Sequence, residues 1–165
     1  MRARRSLFGL LFGLCSAAIV LAAEAPPVTI EADHAVFEEQ QGRSTYRGHV
    51  VVTRDGLEIR ADQVTVVTDA DGALQRVQAQ GAPVTFQQVR EGEETITGEA
   101  RRLDYDAVAE RLLLLDQAWL AQGGNRVSGK RIDYDTRSER VDASQGENGG
   151  QRVRVTIQPR GESKP

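Results

Sequence analysis

From Val28 onward, apolar and polar side chains alternate in short bursts, as in Val28-Thr29-Ile30-Glu31, Val64-Thr65-Val66, Leu103-Asp104-Tyr105 and Ile132-Asp133-Tyr134. A period of two places one set of side chains on one face of a β-strand and the other set on the opposite face. No helical period persists. The stretch Ala107 to Leu114 is rich in helix formers, but it runs into Leu112-Leu113-Leu114-Leu115 between alternating segments, and it is read as strand. Turn chemistry recurs between the bursts, at Gln41-Gly42, Arg54-Asp55-Gly56, Asp69 to Gly72, Gln80 to Pro83, Arg90 to Glu93, Gly123-Gly124-Asn125 and Gln145-Gly146 to Gly150. Such residues supply the positive φ of tight hairpins, and the spacing predicts about fourteen to sixteen short antiparallel strands.

A second pattern lies over the first. In Ile30-Glu31-Ala32, Ile59-Arg60-Ala61, Gly98-Glu99-Ala100 and Val127-Ser128-Gly129, a small residue comes two places after the start. An apolar residue follows three places later, at Ala35, Val64, Leu103 and Ile132. Only Gly98 departs from an apolar start. The starts at 30, 59, 98 and 127 have the spacing of repeated supersecondary units rather than of one catalytic motif. Parity turns inward Val28, Ile30, Phe37, Tyr46, Val50, Ile59, Val64, Phe86, Leu103, Tyr105, Leu114, Ile132 and Tyr134. With them go Val52, Leu57, Val66, Val77, Val84, Leu112 and Val141, and towards the end Val153, Val155 and Ile157. Their neighbours are largely Thr, Arg, Glu, Gln and Asp, so each sheet buries one face and wets the other. Two such faces opposed make an all-β sandwich or jelly roll. The inward set holds few aromatics, a thin filling that leaves room for a groove.

The amino-terminal end is of another kind. Arg2, Arg4 and Arg5 precede an apolar run from Leu7 to Ala23, with Val20 and Ala22 in a small-residue cleavage pattern. This reads as a secretory signal peptide over residues 1–23. The run is slightly short of the ~20 residues that span a bilayer. A domain over 24–159 and a polar tail over 160–165 follow. Cleavage would remove Cys15, the one cysteine, and lower the 21 cationic side chains to 18 against 24 carboxylates. The mature chain then has no thiol chemistry, and its acidic balance argues against nucleic-acid binding.

Candidate chemistry is sparse. His34 and His49 fall on different strands with no cysteine or compact acidic cluster near them, which suits solvated positions better than metal or catalytic roles. Asp104/Asp106 and Asp133/Asp135 bracket a tyrosine at matching repeat positions and point outward by parity. Asp69-Ala70-Asp71-Gly72 lacks the glycine and glutamate positions of a calcium loop and reads as a hairpin turn. No G-x-S-x-G and no phosphate-cradling glycine loop is present. Arg101-Arg102, Arg137, Arg140, Arg152 and Arg154 fit ordinary solvated strand faces better than an anion site.

The ordered series Val28 to Asp33, Tyr46-Arg47-Gly48-His49-Val50-Val51-Val52, Ile59 to Val64, Gly81-Ala82-Pro83-Val84-Thr85-Phe86, Gly98 to Tyr105, Gly129 to Tyr134 and Val153 to Pro159 resembles the OstA-like family. It departs at Asp116-Gln117, where a pair like Gly48-His49 is usual. The resemblance implies a twisted antiparallel β-jelly roll with an open apolar groove, lined by the thirteen inward residues from Val28 to Tyr134. It implies a non-enzymatic periplasmic bridge, peripheral to the inner and outer membranes and without a cofactor. Such a bridge shields the acyl chains of lipopolysaccharide (lipid A). It passes lipopolysaccharide from an inner-membrane lipopolysaccharide ABC-transporter complex to an outer-membrane lipopolysaccharide-assembly barrel, its copies stacking head to tail. The residues alone leave open a membrane-anchored partner of the same pathway and a fully packed adaptor domain. An assembly edge is expected at Val153, Val155 and Ile157, which alternate without a proline until Pro159.

Overall fold

The computed structural model describes residues 26–146 and 151–159; the expected signal peptide and the 160–165 tail lie outside them. The strands are β1 (Thr29–Glu31), β2 (His34–Glu38), β3 (Arg43–Arg54), β4 (Leu57–Thr68), β5 (Leu74–Gln88), β6 (Ile96–Asp106), β7 (Arg111–Gln122), β8 (Asn125–Asp135), β9 (Arg140–Ser144) and β10 (Arg154–Thr156), with one 3₁₀ turn at Glu39–Gln41. β3 to β8 form an antiparallel meander of hairpins, and all ten strands belong to one sheet. β1 and β2 both pair with β3, and β9 and β10 both pair with β8, so each flank of the meander is finished by two short strands.

Among the described residues ten strands stand where the sequence predicts fourteen to sixteen, and the reason is a crease. The pairing register shifts at the middle of every hairpin of the β3–β8 meander: Arg47/Val50, Arg60/Gln63, Gln80/Val84, Glu99/Arg102 and Leu115/Ala118. Extra residues on one strand of a pair bend it and raise its twist. Because the shifts line up, all six long strands bend together, and the sheet folds over into two facing halves. The segments counted in the sequence are mostly half-strands. Gln80 to Pro83 is therefore no hairpin turn; it is the bulge inside β5, and Pro83, which has no N–H to give a ladder, is tolerated there. Gly48 (φ 80°) and His49 (φ 45°) form the bulge of β3, and Asp116 (φ 62°) and Gln117 (φ 56°) that of β7. The departure at Asp116-Gln117 thus keeps the left-handed geometry. Ala107 to Glu110, read as strand, is a turn, because Asp106 accepts hydrogen bonds from the Val108 and Ala109 amides at 3.0 and 2.9 Å.

The crease explains the repeat of small residues. Val50 faces Ala61, Val84 faces Ala100 and Ala118 faces Gly129 across the bulges, while Ala32 falls between β1 and β2. Side chains of one carbon or none let the two halves close along this line. Beside them Val50, Val64, Leu103, Leu114 and Ile132 are all but fully buried and fill the fold.

Candidate functional site

Away from the crease the halves diverge, and the burial loosens with them. Cross-strand register sets two facing rows, apolar but for Ser44 and Gly98. One runs Ile30, Val52, Ile59, Phe86, Gly98, Leu120, Val127, Val155; the other runs Ser44, Val66, Val77, Tyr105, Leu112, Tyr134, Val141. Between them lies a cavity of about 350 Å³. One wall takes Val28, Val52, Leu57, Ile59, Phe86 and Ile96; the other takes Leu74, Val77, Leu103, Tyr105, Leu112 and Tyr134. The mouth opens between the hairpin tips, where Arg54, Asp55, Gln88, Arg90 and Thr136 stand. No polar or charged residue is buried among the described residues. An apolar slot ending in a polar rim is suited to a ligand with a hydrocarbon part and a hydrated part.

The thirteen groove candidates divide by position. Val28, Ile59, Phe86, Leu103, Tyr105 and Tyr134 line the cavity. Val50, Val64, Leu114 and Ile132 are on the correct face, but they pack the crease and contribute to the core rather than to the cavity wall. Ile30 and Tyr46 are partly buried against that core. Phe37 stands at the sheet margin, 65% exposed, with its ring edge-on to Tyr46 at 6.0 Å. Val52, Leu57, Val77 and Leu112 are cavity residues that parity already turns inward. Ile96 and Leu74 were missed, although Ile96 shares the parity of Gly98 on β6. Burial pushes the Tyr134 phenol above its ordinary pKa, and Glu139 and Glu93 act in the same direction while Arg90 opposes. The loop carrying Arg90 and Glu93 thus acts electrostatically on a tyrosine of the opposite half.

The outer face is a lattice of solvated charge. Arg76 pairs with Asp104 and Asp106, Arg111 and Arg131 with Asp133, Arg102 with Asp116, Arg137 with Glu110, and Arg140 with Asp142. The paired carboxylates are occupied there: amides of the 107–109 and 136–138 turns hold Asp106 and Asp135 below the usual carboxylate range, with Ala109 and Ser138 the leading donors. Asp69 accepts the Asp71 and Ala73 amides at 3.0 and 2.8 Å, as a hairpin turn requires. His49 Nδ1 meets Asp33 Oδ2 at 2.8 Å, and this hydrogen bond raises the imidazole pKa above 6.5. His34 lies on β2, opposite Arg47 of β3. At the flanks, β1 and β10 end the sheet with no further partner strand among the described residues. Val153, Val155 and Ile157 are exposed there, and only Val155 lies within β10 itself.

Residues 29–140 match the family described as LptA/(LptD N-terminal domain) LPS transport protein. The chain is 31% identical to the lipopolysaccharide export system protein LptH of Pseudomonas aeruginosa, over 92% of this chain and 93% of that protein. It is 28% identical to the lipopolysaccharide export system protein LptA of Escherichia coli strain K12, over 81% of this chain and 71% of that protein. The crystal structure of Pseudomonas aeruginosa LptH, described as the LptA-homologous periplasmic component of a conserved lipopolysaccharide transport device, superposes with a TM-score of 0.73 at 30% identity. That match covers 81% of this chain and 96% of the chain in that crystal structure.

Proposed function

The chain belongs to the LptA/(LptD N-terminal domain) family of lipopolysaccharide transport proteins, and from that premise we propose that it is a non-enzymatic periplasmic carrier holding acyl chains of lipopolysaccharide in the cavity between its two half-sheets. The observation that carries this reading is the cavity itself. It has about 350 Å³ of open space walled by Val, Leu, Ile, Phe and Tyr, and it is confined to the mouth side of a tightly packed crease. Each methylene removed from water there gains about 0.8 kcal/mol, which needs area and no directional chemistry. The open space favours a carrier over a packed adaptor domain.

In the same reading the carrier is one link of a bridge, receiving lipopolysaccharide from an inner-membrane transporter complex and passing it to an outer-membrane assembly barrel. The two edge strands support stacking. Ile30 of β1 and Val155 of β10 are the two ends of one cross-strand row that takes in the cavity residues Val52, Ile59 and Phe86, so strand pairing between β10 of one copy and β1 of the next would continue both sheet and row. Such a heterologous contact extends rather than closes. Native mass spectrometry of the protein from 24 onward with lipopolysaccharide tests the carrier reading. A lipid-bound species that Ile59→Asp abolishes is expected, since an unpaired carboxylate facing hydrocarbon is costly; a wild type that retains no lipid refutes it.

A further inference from the structure

The cavity's mouth carries charge of both signs. Three charged residues line it, Arg54, Asp55 and Arg90, against a whole-chain net charge of −3. Arg90 is partnered, with Glu93 3.4 Å away in its own loop. Arg54 is not; no ion pair or side-chain hydrogen bond engages it among the described residues. Its placement follows from strand parity. Arg54 continues Val50 and Val52 on the inner face of β3 and faces Leu57 across the hairpin, so a cation stands in one cross-strand row with Leu57, Gln88 and Ile96 at the end of the apolar wall. It is half-buried, the geometry of a side chain whose methylenes follow apolar surface while its guanidinium reaches water. An unpaired planar donor at the rim of a hydrocarbon slot suits an anion attached to the molecule that fills the slot, and a guanidinium matches the oxygens of a phosphate ester two at a time.

Resting on the carrier reading, we infer that Arg54 receives a phosphate ester on the headgroup of the bound lipid, and so fixes which end of an acylated phospho-saccharide stays at the mouth. Asp55 beside it disfavours a second anion, which restricts the contact to one phosphate. The test pairs residue with ligand. Binding of lipid A carrying its phosphates, and of the same lipid after chemical dephosphorylation, is measured for the wild type, Arg54→Gln, Arg54→Lys and Arg60→Gln. Arg60 is an outer-face control already paired with Glu58 at 2.7 Å. Arg54→Gln is expected to weaken the phosphorylated lipid about tenfold at low salt and the dephosphorylated lipid less than twofold. Arg54→Lys should keep part of the difference, and Arg60→Gln should change neither. Equal losses on both lipids would mean that only the apolar stem matters, and unchanged binding of both would mean no contact; either overturns the assignment while leaving the carrier reading standing. A wild type that binds neither lipid overturns both.

Discussion

Gly98 offers the sharpest perturbation of the cavity wall. It lies on β6 between Phe86 of β5 and Leu120 of β7 in one cross-strand row, and the missing side chain is what lets the Phe86 ring lie across the strand. A Cβ at this position would overlap Cε1, Cζ and Cδ1 of that ring. Restoring a separation of about 3.5–4.0 Å requires the ring to retreat by more than about 1 Å. Phe86 is 7% exposed, and the open space beside it is the cavity that it lines. Gly98→Ala should therefore push the ring into the cavity. Overpacking costs about 1–3 kcal/mol, and replacing a strand glycine returns about 0.5–1 kcal/mol, so a net loss of up to about 2.5 kcal/mol in urea unfolding is expected. Lipid affinity should fall more steeply, by about tenfold, because the displaced ring occupies the volume the ligand uses. Phe86→Leu shortens the side chain in conflict, and in the double variant it should recover most of the lost affinity, with a coupling above about 1 kcal/mol. Unchanged stability and binding in Gly98→Ala, or strictly additive effects in the double variant, would refute this account of the wall.

Other expectations concern the crease, the outer surface and the edge. Leu114→Ala, at a residue 1% exposed in the crease, should cost about 2–5 kcal/mol in chemical denaturation while lipid affinity per folded molecule changes little; a loss of affinity without loss of stability would put Leu114 in the cavity instead. The His49 imidazole should titrate above 6.5 by NMR and fall towards its ordinary value in Asp33→Asn. Because its folded pKa is raised, the added stability is fully present below about 6.5 and is lost as pH rises through the folded value. A midpoint at or below 6.5 would rule out the Asp33 contact in solution. Val155→Pro removes an edge donor and should reduce concentration-dependent association in sedimentation velocity; a wild type that stays monomeric at high concentration would contradict stacking through β10.

The sequence made the faces legible and hid the crease. Strict alternation placed Ile59, Phe86, Leu103, Tyr105 and Tyr134 on the inner face, and their cavity positions follow. The repeat of small residues at Ala61, Ala100 and Gly129 was visible, but its meaning depends on pairing partners on other strands, which local pattern does not reveal. Gly81 and Pro83 carry the same chemistry at a bulge as at a hairpin, so the strand count doubled there. Asp116-Gln117 adopts the bulge geometry without a glycine to announce it. Distance from the crease, which separates Val64 in the core from Ile59 on the cavity wall, is likewise set by the bend and not by parity. Arg54 obeys parity too, and its charge concealed it among the turn residues.

The most direct test of the central claim places a photo-activatable side chain at one position at a time in cells making lipopolysaccharide. Ile59, Phe86 and Tyr105 on the two cavity walls should capture lipopolysaccharide, and Thr65 and Asp104 on the outer face should not. Equal capture at both sets, or capture confined to the outer face, would contradict an acyl-chain site between the half-sheets.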